Sequence, residues 1–369
     1  MNFVFALAQS LTESMHVTVL TPNFPDGQAR EDFGELEVKR FNYFFPLWSQ
    51  RVLYPDGIPV QLKRSRLARF QAPFFILAFI FKTVVLSRNV DLVLCNWALT
   101  GLIARAAGMF SRKPYIVIVR GTDMKIMEEG GMPGRVFLTA LRSADAVCAV
   151  AQHLVESLAD LGVAGAHLTP NGIDLSRFSN DREQARKELS LKMDKLVLFV
   201  GSLIEVKGVR YLIEAMRGVN AELAIVGDGC LQVELERQAQ ELGVKVSFIG
   251  RVSPDRVSHW YAACDVFVLP SLSEGRPNVL IEAMASGRAC VVSDIPGCRE
   301  LIRDDDNGLL FTPGNAPALQ EKIKKILGDE KLRSQMEAGA IECVRRLIPS
   351  WAECAENYKR MIGDVLSDE

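Results

Sequence analysis

The sequence has no cysteine pair in C-x-x-C spacing and only four histidines, widely scattered among its 369 residues. Zinc-finger or zincin-type metal sites are therefore not expected. Charge of one sign is also scarce: 43 basic against 45 acidic residues leave a net −2, too balanced for a global polycation, and nucleic acid is not expected as a partner. No apolar run reaches the roughly 18–20 residues of a membrane span, and the longest, from Ala72 to Leu86, is broken by Lys82. No basic n-region opens the chain, and Ser10 and Glu13 close its short apolar start, so a signal peptide is not expected either. What is present is an ordinary globular composition, 49% hydrophobic and 24% charged, which excludes a disordered chain or a disulfide mini-scaffold. The length suggests two domains. The charge is uneven, about +3 over residues 1–180 and −5 over the rest. Eight unpatterned cysteines read as reduced, buried thiols in a reducing compartment, the cytosol.

Short β-branched runs alternate with helical patterns through almost the whole chain. Strands are expected at 16–22, 91–96, 115–120 and 144–150, then at 195–203, 222–227, 246–252, 265–270 and 289–294. Continuous apolar strands separated by amphipathic helices, such as 209–216, 231–242 and 256–263, mean parallel sheet covered on both faces. The pattern occurs twice, with a charged segment at 179–195 between the copies. The fold class is therefore α/β, with two Rossmann-like doubly wound domains facing across a cleft, and ligands are expected beyond the carboxyl ends of the strands.

Three segments carry chemistry. Gly201-Ser202-Leu203-Ile204-Glu205-Val206-Lys207-Gly208 follows a buried strand and precedes a helix. Its amides and Lys207 suit an anion, although a strand-to-helix turn with a solvated lysine has the same pattern. Gly227-Asp228-Gly229 lacks the third glycine of a dinucleotide fingerprint, since residue 232 is Gln, and a tight turn explains it. The third runs from Ser271 to Gly287 and holds Glu274, Gly275, Arg276, Pro277, Asn278, Val279 and Glu282. Pro277 suits the first helical position. That leaves Glu274 in the preceding loop, Glu282 inside the helix, and the amides of Asn278 and Val279 as donors. Two carboxylates at such a mouth suit a hydroxyl-rich ligand; an acidic helix start with one surface glutamate reads the same way.

The run DVFVLPSLSEGRPNVLIEAMASGRACVVSDIPGCRELI, with its Glu, seven residues, Glu, resembles the signature of retaining glycosyltransferases of family 4. The likeness extends over VGSLIEVKG, IVGDG, TPNGID at 169–174, NGLLFTPGN at 307–315, NWALTGLIARAAG at 96–108 and SWAECAENY at 350–358. The resemblance implies a GT-B fold with an acceptor-side domain at 1–180 and a nucleotide-sugar domain at 181–349. A helix at 350–366 would pack back on the first domain. It further implies transfer of a sugar from a nucleoside-diphosphate sugar to a saccharide or lipid-linked acceptor, with retention and without a cofactor or metal. Glu282 would accept from the ribose and Glu274 from a hexose hydroxyl. Lys207 and the amides after Gly275 would hold the diphosphate, beside Gly201 and Ser202. Catalytic roles would fall to Glu274, Lys207 and Asp123.

Three departures stand out. Family members often carry Arg where Ser202 stands, and the family's H-G-x-D reads Arg120-Gly121-Thr122-Asp123 here. Arg120 would meet donor phosphates or serve as a structural ion-pair partner. Residues 3–22 resemble the family's first helix and second strand, so the N-terminal domain is expected to lack its first strand and Gly-Gly loop, as in a late start or a truncation. A truncated, non-catalytic nucleotide-sugar binder and a GT-B-type epimerase are the competing readings. Between residues 61 and 89 lie Lys63, Arg64, Arg66, Arg69, Lys82 and Arg88, interleaved with Phe70, Phe74, Phe75, Phe79 and Phe81 and with no acidic residue. This segment reads first as a core helix with solvated cations, and it also fits peripheral contact with an anionic membrane, at the inner face of the plasma membrane.

Overall fold

The structure, a computed structural model, describes residues 3–24, 28–53, 57–179, 181–191 and 194–367. The chain divides into two compact units, residues 1–172 with 351–369, and residues 173–350. The division follows Gly172 rather than residue 180, because Ile173 donates its N–H to Pro349 O at 2.9 Å and bridges Ser350. Asn180 itself lies outside the described residues.

The N-terminal unit holds two sheets. In the first, β1 (Val17–Pro22) runs parallel to β3 (Leu36–Phe41), which pairs antiparallel with β2 (Arg30–Asp32). The second has the order β4 (Val93–Asn96), β5 (Tyr115–Val119), β6 (Ala146–Ala149) and β7 (His167–Leu168), all parallel. Among the described residues no ladder joins β1 to β4. Strand β5, YIVIV, is wholly buried as a central strand should be, whereas β1 and β4 are mostly half-buried, as edges are. The core is completed from the far end of the chain. The helix Trp351–Ser367 buries Cys354, Ala355, Tyr358 and Met361 in the same cluster as Leu7, Leu11 and β5. The Tyr358 hydroxyl reaches Thr169 Oγ1 at 3.1 Å.

The second unit is one parallel sheet of six strands in the order β10 (Val246–Gly250), β9 (Glu222–Val226), β8 (Leu196–Val200), β11 (Val266–Leu269), β12 (Ala289–Ser293) and β13 (Leu309–Phe311). The runs LVLFV, VFVL and ACVVS are entirely buried, since helices cover both faces. The strand order reverses between β8 and β11, which places a topological switch point there. A buried carboxylate fixes this junction: Asp265 Oδ2, just before β11, accepts from Leu196 N–H at 2.7 Å and from Arg186 at 2.7 Å.

Candidate functional site

The loops that leave β8 and β11 meet at the switch point. The first, 201–208, ends in the short 3-10 turn Glu205–Lys207, and the second, 270–277, leads to the helix Asn278–Ala285. Leu272 N–H donates to Val206 O at 2.8 Å, so the loops are joined backbone to backbone. Gly208 makes this approach feasible: its φ is +63°, and a Cβ there would lie 2.1 Å from Pro270 O. Lys207 Nζ then reaches Glu274 Oε1 at 2.6 Å, and Ser271 Oγ donates to the same oxygen at 2.7 Å. Both side chains are mostly withdrawn from solvent, with the lysine at 21% and the glutamate at 11% exposure. The Glu274 loop is also supported by Gly297, where a Cβ would stand 2.7 Å from Glu274 O and 2.8 Å from Gly275 O.

Glu282 sits one turn into the following helix. Pro277 is the N-cap rather than the first helical residue, one position earlier than sequence placed it in the helix. The helical ladder begins with Leu280 N–H donating to Pro277 O at 3.0 Å, so the amides of Asn278 and Val279 precede it at the positive end of the helix. Glu282 Oε2 accepts from the Tyr261 hydroxyl at 2.8 Å. Burial pushes the Glu282 carboxyl above its ordinary range, while the tyrosine O–H and Arg177 pull it down. Sequence reasoning did not find Tyr261. A tyrosine on the buried face of Pro254–Ala263 must find an acceptor for its hydroxyl, and that was the available signal. Ser202 stands exposed in the first loop, Arg276 is half-buried in the second, and Pro277 is buried.

The glycine turn after β9 belongs to the packing of the first loop. A Cβ at Gly227 would lie 2.0 Å from Gly201 O, and Leu203 N–H donates to Asp228 O at 2.8 Å. Loop-to-loop approach accounts for these glycines without a ligand, in line with the tight-turn reading. Among the described residues no cluster of three or more His, Cys, Asp or Glu has metal-ligating geometry.

In the N-terminal unit Arg120 ends β5 with its guanidinium buried. Nε and Nη2 donate to Asn96 Oδ1 at 3.0 and 2.7 Å, and Nη1 donates to Asn171 Oδ1 at 2.8 Å. The Phe3 ring lies 4.3 Å from the guanidinium and Trp97 5.9 Å. Burial lowers its pKa, opposed most by Tyr358 and Asp123. Asp123 accepts Arg120's backbone N–H rather than its guanidinium, at 3.2 Å, together with the N–H groups of Gly121 at 3.0 Å and Ala98 at 3.0 Å. Burial raises its pKa and these amides lower it. A carboxylate at 4% exposure, saturated by three amides, ties the end of β5 to the start of the helix Ala98–Ser111.

Comparison with known proteins was made against this geometry. Residues 2–177 match the model of Glycosyltransferase Family 4, and residues 180–342 match that of Glycosyl transferases group 1. The N-acetyl-alpha-D-glucosaminyl L-malate synthase of Bacillus anthracis is 26% identical over 86% of this chain and 86% of its own. Sucrose-phosphate synthase from Thermosynechococcus elongatus superposes with a TM-score of 0.84 at 23% identity, covering 100% of this chain and 93% of that one. Anabaena HepE, solved with UDP and glucose, superposes at 0.75 with 20% identity over 95% and 99% of the two chains. The structural matches show the fold, and the two family models together span nearly the whole sequence. The chain belongs to the group 1, family 4 glycosyltransferases, with the two Rossmann-like domains of the GT-B fold.

Proposed function

We propose that the chain moves a hexose from a nucleoside-diphosphate sugar to an acceptor hydroxyl with retention of anomeric configuration. The observation that carries this reading is the Lys207–Glu274 pair at the switch point. An ammonium, a carboxylate and the amide-rich start of a helix converge there, one helical turn before Glu282. In the reaction the anomeric C1–O bond to the diphosphate breaks and a C1–O bond to the acceptor forms on the same face. The acceptor proton passes to the departing diphosphate. Negative charge grows on that leaving group, and Lys207 with the amides of Asn278 and Val279 stabilises it most in the transition state. Glu274 is positioned by Lys207 and Ser271 through Oε1. It offers Oε2 to a sugar hydroxyl. Glu282 accepts from the ribose, with Tyr261 fixing its orientation. Arg120 and Asp123 act in this reading as positioning groups at the end of β5.

A uridine donor is the first to test, because a structural neighbour was solved with UDP and glucose. The acceptor belongs to cell-surface polysaccharide, lipopolysaccharide or glycolipid synthesis, in keeping with a curated relative from Campylobacter jejuni whose name specifies an undecaprenol-linked acceptor. Lys207 supplies the charge, so EDTA is expected to leave the rate unchanged. Eight free thiols, seven of them buried, fit work in a reducing cytoplasm. The test is titration with UDP and GDP followed by a donor screen for hydrolysis and transfer. Tight binding of one nucleotide with turnover of its sugar supports the proposal. Binding without turnover favours the non-catalytic reading. Interconversion of donor hexoses would identify an epimerase.

A further inference from the structure

The helix Arg66–Ser87 corrects the sequence expectation that no stretch reaches a span's length. With Lys82 tolerated inside it, its 22 residues are long and apolar enough to cross a bilayer by length and composition, yet only one of its faces is spent on the protein. Phe75 and Phe79 turn inward against Phe41, with ring centroids at 6.1 and 4.8 Å, and Phe75 meets Tyr43 at 5.1 Å. The opposite face repeats Leu67, Phe70, Phe74, Leu77, Phe81 and Val85 at intervals of three or four, all exposed, with Leu77 and Phe81 at 64%. A segment at 44–48 extends the same apolar surface: Phe44 packs on Phe70 at 6.0 Å and on Phe74 at 5.6 Å, and Trp48 beyond it is 69% exposed.

That segment is clamped to the helix. Buried Gln71 donates to Ser49 O at 2.8 Å and accepts from Arg51 N–H at 2.9 Å, and the Tyr43 hydroxyl accepts from Val52 N–H at 3.0 Å. The aromatic surface is therefore held in place by buried hydrogen bonds. Around it stand Arg66, Arg69, Lys82 and Arg88, all exposed, and no Asp or Glu occurs from residue 57 to residue 90.

We propose that this face is a docking surface for an anionic lipid bilayer, with the aromatic stripe entering the interface and the flanking cations meeting phosphate headgroups. The charge selects the occupant. A second copy of the chain would bring the same cations against each other, whereas an anionic leaflet complements them. A spanning orientation is not needed, and it would strip Phe75 and Phe79 from Phe41. The proposal stands independently of sugar transfer.

The test is sedimentation of the full chain with vesicles of phosphatidylglycerol and phosphatidylcholine, and with phosphatidylcholine alone, at low and high salt. Binding is expected only to the anionic vesicles and is expected to weaken with salt. Each cation near the surface contributes about fivefold, so the triple variant Arg66→Gln, Arg69→Gln and Lys82→Gln should bind on the order of a hundredfold more weakly. Leu77→Ser with Phe81→Ser should also lose binding, and unchanged hydrogen-exchange protection of β5 and β6 in the same unit serves as the folding control for both variants. Three outcomes would overturn the proposal: no sedimentation of folded protein at low salt, equal binding to neutral vesicles, or a solution dimer that the Leu77/Phe81 variant dissociates.

Discussion

Lys207 and Glu274 each hold the other in place, and their removal should have different consequences. Lys207→Ala takes a positive charge from the leaving group, so the transfer rate should fall about 10²–10³-fold, with a smaller change in nucleotide affinity, as single-turnover and titration data would show. Glu282 has a raised pKa set by burial. As pH falls through that pKa the carboxylate takes up a proton and loses its charge-assisted acceptance. Nucleotide affinity should therefore decline at a higher pH than an exposed glutamate, near about 4.3, would dictate. Glu282→Gln should abolish this pH dependence and weaken binding about ten- to a hundredfold; an unchanged affinity would reject the ribose assignment. The same raised pKa has a stability consequence of opposite sign. The folded chain holds that proton longer than the unfolded one, so stability falls as pH rises from the unfolded to the folded value. Both glutamates and the lysine were visible in loops and a helix start after strand-like runs, but spacing left a bland reading open there and only the family resemblance gave them roles. Their pairing was not visible, because the contact between residues 207 and 274 depends on β8 and β11 being neighbours in the sheet.

Among elements, the loop that carries Glu274 rests on the helix Pro296–Arg299. Gly297→Ala would place a methyl 2.7 Å from Glu274 O, so the loop must shift. Stability should drop by about 1–3 kcal/mol. Transfer should fall more than nucleotide binding does, which thermal melts and kinetics would separate. The strands of the second unit were readable because LVLFV, VFVL and ACVVS are continuous apolar runs buried on both faces. Strand β13 escaped notice because it has three residues, and β3 because LEVKRF alternates with charges that an edge-like sheet can leave half-exposed. The helix Arg66–Ser87 had two readings that sequence left open, core or interface. Phe75 and Phe79 are buried, as the core reading requires, while Phe70, Phe74 and Phe81 are exposed and leave the interface reading to the vesicle experiment.

At the scale of the whole molecule, the N-terminal unit is discontinuous in sequence. Cys354, Ala355, Tyr358 and Met361 fill a core otherwise built from residues before 172. Deleting 351–369 should leave residues 173–350 as protected from hydrogen exchange as before, while β5 and β6 lose protection. Uniform loss across both units would contradict the division. The same discontinuity sets an order for biosynthesis. A ribosome adding about 5–20 residues per second needs roughly 10–40 s to pass from residue 172 to residue 351. Throughout that interval Leu7, Leu11, Cys148 and the face of β5 lack their last cover. The second unit, continuous in sequence, can close as it emerges. The half that is made first is thus the half that finishes last, and it depends on whatever shields its apolar surface until the final helix arrives.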